Sequence, residues 1–238
     1  MKLLVTADLH YNLKQFDWLL RQAADVDLMV LAGDFLDIGS YVSQDVQSQV
    51  VEKYFQKLKA RTRVLASSGN HDIDRPEPGA PYSAQWVQEL RESGIEVDGD
   101  TIEAGDVTIS ICPWAMHDSQ RLRTLAQLRE AAPKRKKLWI WVHHAPPDHT
   151  PVSWTGKQFF GEASLNDWID ELKPDLVFCG HVHQAPFHMG GSWHTQMHKT
   201  VAFNAGYEMT VVPPHLRVDL VTRQIDWFSS EGSESCEF

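Results

Sequence analysis

An α/β chain built on parallel strands is predicted by three features of the sequence. Short apolar, partly β-branched runs at 3–7, 28–32 and 64–67 alternate with helical patterns. Further apolar runs at 138–142 and 175–179 flank another helical stretch. All five runs lead into polar motifs rich in Asp, His and Gly. Strand–helix–strand alternation implies parallel neighbours, because a parallel pair needs a crossover segment and the helices supply it.

In chain order, the strand at 3–7 precedes a helix at 15–24, with Phe16, Leu19 and Leu20 on one face. The strand at 28–32 precedes a helix at 45–58 carrying Val46, Val50, Tyr54 and Leu58. After the strand at 64–67 the character changes. Runs at 95–97, 101–104 and 107–112 are separated by Asp98-Gly99-Asp100 and Gly105-Asp106, which are hairpin signals, so a meander is expected. A helix at 119–131 closes at Pro133, and another at 165–172 stops before Pro174. Strands at 201–204, 217–221 and 224–228 finish the chain, and 229–238 reads as a frayed, flexible tail. With no internal repeat and no linker, residues 1–238 read as a single domain.

Bulk composition narrows the function. At 238 residues, 42% hydrophobic and 23% charged, the chain has ordinary globular proportions. A formal net charge of −10 argues against general affinity for nucleic acid or anionic membrane, so any phosphate substrate must find positive charge in bound metal. No apolar run approaches membrane-spanning length. Met1-Lys2-Leu3-Leu4-Val5 runs straight into the first motif, so no cleaved signal is expected and a cytoplasmic location is the default. Cys112, Cys179 and Cys236 are too scattered for a disulfide framework or thiolate zinc site. Twelve histidines against three cysteines fit a metal site of nitrogen and oxygen donors.

The motifs are Asp8-Leu9-His10, Gly33-Asp34-Phe35-Leu36-Asp37, Gly69-Asn70-His71-Asp72, His143-His144 and Gly180-His181-Val182-His183. Ligands of parallel sheets gather at the carboxyl ends of strands, where these motifs are expected. A divalent ion needs several hard or borderline donors at about 2.0–2.2 Å. Asp8 and His10 alternate along an extended segment and point the same way, as do His181 and His183. Gly33, Gly69 and Gly180 each precede a candidate ligand and permit a sharp turn. Asp34 is the natural carboxylate to bridge two ions, and Asn70 adds a neutral oxygen donor.

On these motifs (D-x-H, G-D-x-x-D, G-N-H-D, a lone His and G-H-x-H, between residues 8 and 183) the sequence resembles the calcineurin-like metallophosphoesterase superfamily. The resemblance implies a four-layer αββα fold, with two mixed sheets packed face to face and helices outside. It implies two divalent or trivalent transition-metal ions, of Mn, Fe, Zn or Ni. Asp8, His10 and His183 would hold one ion, Asn70, His143 and His181 the other, and Asp34 would bridge them. Of the adjacent pair, His143 directly follows its strand, as the family's ligand does, and is the expected ligand; His144 is the alternative. His71 would contact the phosphate and Asp37 would orient His71. Purple acid phosphatases carry a metal-binding tyrosine at the position of Asp37, so a tyrosinate centre is not expected.

The chemistry implied is in-line attack of a metal-bound hydroxide on a phosphodiester or phosphomonoester. A small soluble organic phosphate or nucleotide is the expected substrate, with specificity carried by loops 73–82, 113–118 and 146–161. The rival readings are a nuclease, disfavoured by charge, and a non-catalytic interaction scaffold on the same fold. A mononuclear zinc hydrolase of amide bonds would leave donors unused. Arg75 and Lys157 could reach a phosphate or stand as solvated charges, and Trp114 and Trp154 could line the cleft. Asp72 is expected to brace its turn, Lys134-Arg135-Lys136-Lys137 to be a solvated loop, and His188, His194 and His198 to lie in a polar rim.

Overall fold

Strands β1 (Lys2–Thr6), β2 (Leu28–Ala32) and β3 (Arg63–Ser67) run parallel, joined by α1 (Leu13–Gln22) and α2 (Gln44–Lys59), in the computed structural model of the chain. It describes residues 1–77 and 80–238, with the backbone alone for 75–77 and 80–82. Beyond β3 come a small hairpin of β4 (Arg75–Glu77) and β5 (Ala80–Ser83), helix α3 (Gln85–Glu89) and strand β6 (Glu96–Val97). The chain then builds a hairpin of β7 (Thr101–Ala104) and β8 (Val107–Cys112), followed by α4 (Asp118–Ala131), β9 (Leu138–His143), α5 (Ala163–Leu172) and β10 (Leu176–Cys179). It ends in β11 (His194–Met197), β12 (Thr200–Asn204), β13 (His215–Asp219), β14 (Gln224–Ser229) and β15 (Gly232–Glu237).

The larger sheet is ordered β15-β14-β13-β1-β2-β3-β6 and the second β11-β12-β10-β9-β8-β7. Both are mixed. Between them lies a core of inward side chains such as Val5, Val30, Leu65, Ile109, Val142 and Phe178. The opposite faces are covered by helices: Phe16, Leu19, Val51 and Phe55 pack on Met29 and Leu31, while Leu128, Leu165 and Trp168 pack on Trp139 and Trp141. Because each sheet is apolar on both faces, the layers follow as helix, sheet, sheet, helix.

Three expectations need correction. The meander splits between sheets: β6 pairs parallel with β3 through Leu65 and Glu96, whereas β7 and β8 belong to the second sheet. The turn at Asp98-Gly99-Asp100 carries the chain across, with Gly99 left-handed at φ 86°. In α2 the buried stripe is Gln47, Val51, Phe55 and Leu58, while Val46 is 49% exposed. Both stripes share the helical period, and the aromatic bulk of Phe55 selects the phase. Finally, 229–238 is no frayed tail, because β15 pairs with β14 from Ser229↔Gly232 to Gln224↔Glu237. The Trp193 indole anchors it through a 2.7 Å bond donated to Glu234. No helix among the described residues is long and apolar enough to cross a membrane.

Candidate metal centre

The motifs follow β1, β2, β3, β9 and β10, which are parallel within each sheet, so the loops emerge together at one edge. Main-chain bonds stitch the first two loops: Asp8 N–H to Gly33 O (2.9 Å), His10 N–H to Asp34 O (3.0 Å) and Tyr11 N–H to Phe35 O (2.8 Å). The His181 N–H donates to the Asp8 carboxylate at 3.0–3.1 Å. Beneath them sits Asp72, wholly buried. One of its oxygens accepts from the N–H groups of Asp34 and Gly69, the other from Phe35 and Leu36, at 2.8–3.1 Å. Burial, then the charge of Asp34, push this acid up to about 8. Yet each oxygen already accepts two bonds and neither has room for a proton, so the geometry suits the carboxylate.

The backbone is left-handed at Asp8 (φ 55°), His10 (41°), Asp34 (57°) and His181 (68°). Such conformations cost about 1–2 kcal/mol per residue, and they persist where surrounding structure over-determines them. The stitched loops provide that constraint. Gly180 must be glycine for a different reason: a Cβ there would lie 2.5 Å from Asp8 Oδ2.

Side chains converge in two groups. Asp8, His10, Asp34 and His183 form one, and Asp34, His144 and His181 the other; within each, one donor atom per residue lies within 4.8 Å of the rest. His10 Nε2 and His183 Nε2 are 3.0 Å apart, and Asp8 Oδ1 is 3.3 Å from His183 Nε2. His144 Nε2 is 3.2 Å from Asp34 Oδ2. The residues fit a metal. Asp8 and Asp34 are buried carboxylates, and among the described residues only histidines form ion pairs with them. Asn70 Oδ1 and His144 Nε2 are buried without a well-formed hydrogen bond. Uncompensated charge and orphaned donors of this N/O type are what a first-row transition ion satisfies.

Electrostatics express the same crowding. Burial opposes ionisation of Asp34, but the charge and hydrogen bond of His144 together with those of His71 outweigh it and hold the acid low. Burial likewise opposes protonation of His144, yet Asp34 and then Asp8 raise it to about 9. Burial, then the neighbouring His144, push His181 down to about 4.

His143 is placed elsewhere. Along β9, Trp139 and Trp141 face the helices, and His143 continues that face, 6.1 Å from the Trp168 ring with Nδ1 bonded to Ala145 O at 2.8 Å. Ile140 and Val142 face the core between the sheets, and His144 follows them, its Nδ1 2.7 Å from Ala32 O. Strand parity therefore delivers His144 to Asp34 and turns His143 away. Asp37 also differs from expectation. Its carboxylate accepts from Gly39 N–H (2.8 Å), while His71 Nδ1 receives the Ile38 N–H (3.4 Å). Thus the backbone beside Asp37 orients His71. His71 Nε2 lies 4.0 Å from Asp34 Oδ2, at the edge of the cluster.

Aromatic rings enclose the group. Trp114 lies 5.6 Å from His144 and 5.1 Å from His181, Phe160 stacks on His181 at 4.9 Å, and Tyr207 contacts His10 and His183 at 5.1 and 4.7 Å. Phe160 and Tyr207 escaped the sequence reading because both lie in loops without periodicity or motif. Trp154 sits farther out against Phe159, and Lys157 is exposed. The Arg75 side chain, and part of loop 73–82, lie outside the described residues. The basic run is engaged: Lys134, Lys136 and Lys137 pair with Glu130, Glu103 and Asp106, and Arg135 bonds to Leu172 O and Lys173 O. His188, His194 and His198 join neither ligand group.

The calcineurin-like phosphoesterase profile matches residues 1–185. The chain belongs to the calcineurin-like phosphoesterase family. Among solved structures it is similar to the Thermus thermophilus protein TT1561, at 13% identity, 99% and 98% coverage of the two chains and TM-score 0.62. It is also similar to a purple acid phosphatase from yellow lupin seeds (11% identity, 100% of this chain and 53% of that chain, TM-score 0.63). A dimetal phosphatase of Danio rerio matches at 10% identity, 100% and 99% coverage and TM-score 0.56. At such identities the likeness shows the fold. No curated protein sequence matches the chain.

Proposed function

We propose that this family member is a dinuclear metal-dependent phosphoesterase. The observation that carries the reading is Asp34, which belongs to both donor groups and so stands where a bridging carboxylate would. Asp8, His10, Asp34 and His183 would hold one ion, and Asp34, Asn70, His144 and His181 the other. Two bound ions supply Lewis-acid polarisation of the phosphoryl oxygens and activation of a water. The chain's own contribution is positioning and proton handling. Because His71 Nδ1 accepts the Ile38 N–H, its neutral ring carries the proton on Nε2. That N–H faces the cluster and suits donation to a phosphate or leaving-group oxygen. Asp37 contributes through the loop that presents the Ile38 N–H.

A small organic phosphate or nucleotide, as diester or monoester, is the substrate class best supported. The net charge of −10 and the paired basic run offer little to a polymeric nucleic acid. The test is to strip the protein, reload it with Mn²⁺, and compare bis(p-nitrophenyl) phosphate with p-nitrophenyl phosphate. Turnover that chelator abolishes is expected. A protein that binds both ions and hydrolyses no phosphate ester would be a scaffold, not an enzyme.

A further inference from the structure

The segment that follows β2 is held by its main-chain N–H groups, one after another. Asp72 takes those of Asp34, Phe35 and Leu36 at 2.8–3.1 Å. The next, from Asp37, donates to Gln47 Oε1 at 2.8 Å, and the one after, from Ile38, to His71 Nδ1 at 3.4 Å. Where Gln47 holds Asp37 thus decides whether the Ile38 N–H reaches the His71 ring. The Gln47 amide nitrogen also donates to Asp37 O (2.9 Å) and Val42 O (2.7 Å), which closes the loop from 37 to 42 across its two ends.

Burial does not hold this loop, because Ile38, Tyr41 and Val42 are exposed. Among the described residues its other hydrogen bonds are internal: Gly39 N–H to Asp37 Oδ1, Ser40 N–H to Asp37 O and Val42 N–H to Ser40 Oγ. Gln47, in contrast, lies fully buried near the start of α2, with its oxygen and its amide nitrogen both engaged. Three residues earlier, on the same face of the helix, Gln44 donates to His71 O at 2.9 Å. The His71 N–H meanwhile donates to Asp34 Oδ1 at 2.8 Å. His71 is therefore gripped at its N–H by Asp34, at its carbonyl by Gln44, and at its ring by the loop that Gln47 closes.

We propose that Gln44 and Gln47 are positioning residues, through which the start of α2 aims the His71 Nε2–H at the departing oxygen of the ester. The inference rests on the phosphoesterase reading for the role of that N–H, while the aim itself needs no metal. The proton stays on the ring, and its hydrogen bond stabilises the charge that develops on the oxygen as the bond to phosphorus breaks. The more basic that oxygen, the more the bond is worth. Aim matters because a misplacement of about 1 Å can cost about 100-fold in rate.

The aim is read in two ways. In the metal-free full-length protein at pH 8, above the usual histidine range, ¹⁵N NMR of labelled histidines reports which ring nitrogen of His71 carries hydrogen. His71→Asn assigns the signal. Nε2 is expected in the unmodified protein. Gln47→Met, which fills the space without hydrogen bonds, is expected to lose that preference. Gln44→Met, at a half-buried position, removes the grip on His71 O and keeps the test open if Gln47→Met does not fold. The second reading uses Mn²⁺-loaded protein with phenyl and p-nitrophenyl esters, as monoesters and as methyl diesters. Both Met variants are expected to lose about tenfold in kcat on the phenyl esters and about twofold or less on the p-nitrophenyl esters, with KM and bound metal unchanged. Gln44→Lys, which restores an N–H donor, is expected to recover most of the loss. Hydrogen on Nδ1 in the unmodified protein, or a preference for Nε2 that survives in both variants, would overturn the proposal. So would an equal fall on the two ester series, which is what a merely structural role gives. If the ring responds as expected but no ester is turned over, the enzymatic reading fails and only the clamp on His71 survives.

Discussion

His143 and His144 share a chemistry and differ in direction, so substitution should separate them. His144→Ala is expected to lose one bound ion and at least about 100-fold in activity, given that even outer partners of metal ligands cost 10–100-fold. His143→Ala should keep its metal but lose about 2 kcal/mol of stability, because it empties a buried site beside Trp168. Elemental analysis and urea denaturation distinguish the outcomes, and metal loss in His143→Ala alone would reverse the assignment. Asp72→Asn makes a second residue-scale prediction. An amide would turn an N–H₂ toward two main-chain N–H donors, costing about 3 kcal/mol by urea denaturation and loosening the Asp34 loop. Residue type and order made Asp8, His10, Asp34, His181 and His183 legible as a converging set. The alternation expected of an extended segment did not: the backbone is left-handed at Asp8, His10 and His181, and His181 and His183 fall in different donor groups. The choice at 143 and 144 was not legible. Leu138-Trp139-Ile140-Trp141-Val142 is apolar on both faces, because core lies on one side and helices on the other, so its pattern hides which parity points inward.

At the scale of elements, the sequence located strands well and their sheet membership poorly. β6 and β7 lie three residues apart across Asp98-Gly99-Asp100, a spacing that suits a hairpin as well as a crossing between layers. Only long-range pairing of β6 with β3 decides it. β15 was invisible for a related reason. Its Gly-Ser-Glu-Ser-Cys-Glu segment is nearly all exposed, and it exists because β14 offers an edge. Removing 230–238 should therefore lower the melting temperature and free the indole N–H of Trp193, which fluorescence would register. On β13, His215 is 5% exposed, stacked on Phe228 at 5.1 Å, with Nδ1 2.9 Å from Pro213 O. Burial pushes its pKa down to about 4. The unfolded chain then binds the proton more tightly, so stability is lost as pH falls from about 6.5 toward 4. The loss is at most about 3 kcal/mol at 1.36 kcal/mol per pH unit. His215→Phe should flatten that part of the stability–pH curve; an unchanged slope in urea titrations would place the proton elsewhere.

At the scale of the whole molecule, both sheets contribute ligand loops, so metal would fasten one layer to the other. Asp8, His10, Asp34 and Asn70 come from the larger sheet, and His144, His181 and His183 from the second. Chelation should lower the melting temperature, and Mn²⁺ at 100 times its dissociation constant should restore about 2.7 kcal/mol. Calorimetry with and without chelator measures this directly, and equal transitions would show that the layers hold without it.

The shared carboxylate of Asp34 bears on how such a protein would fill. An ion seated in either group fixes one oxygen of Asp34 and screens the charge of the other. The second ion therefore arrives at a site the first has altered. Loading would then trace a curve unlike the sum of two independent hyperbolas, and its departure from that sum measures the conversation between the sites.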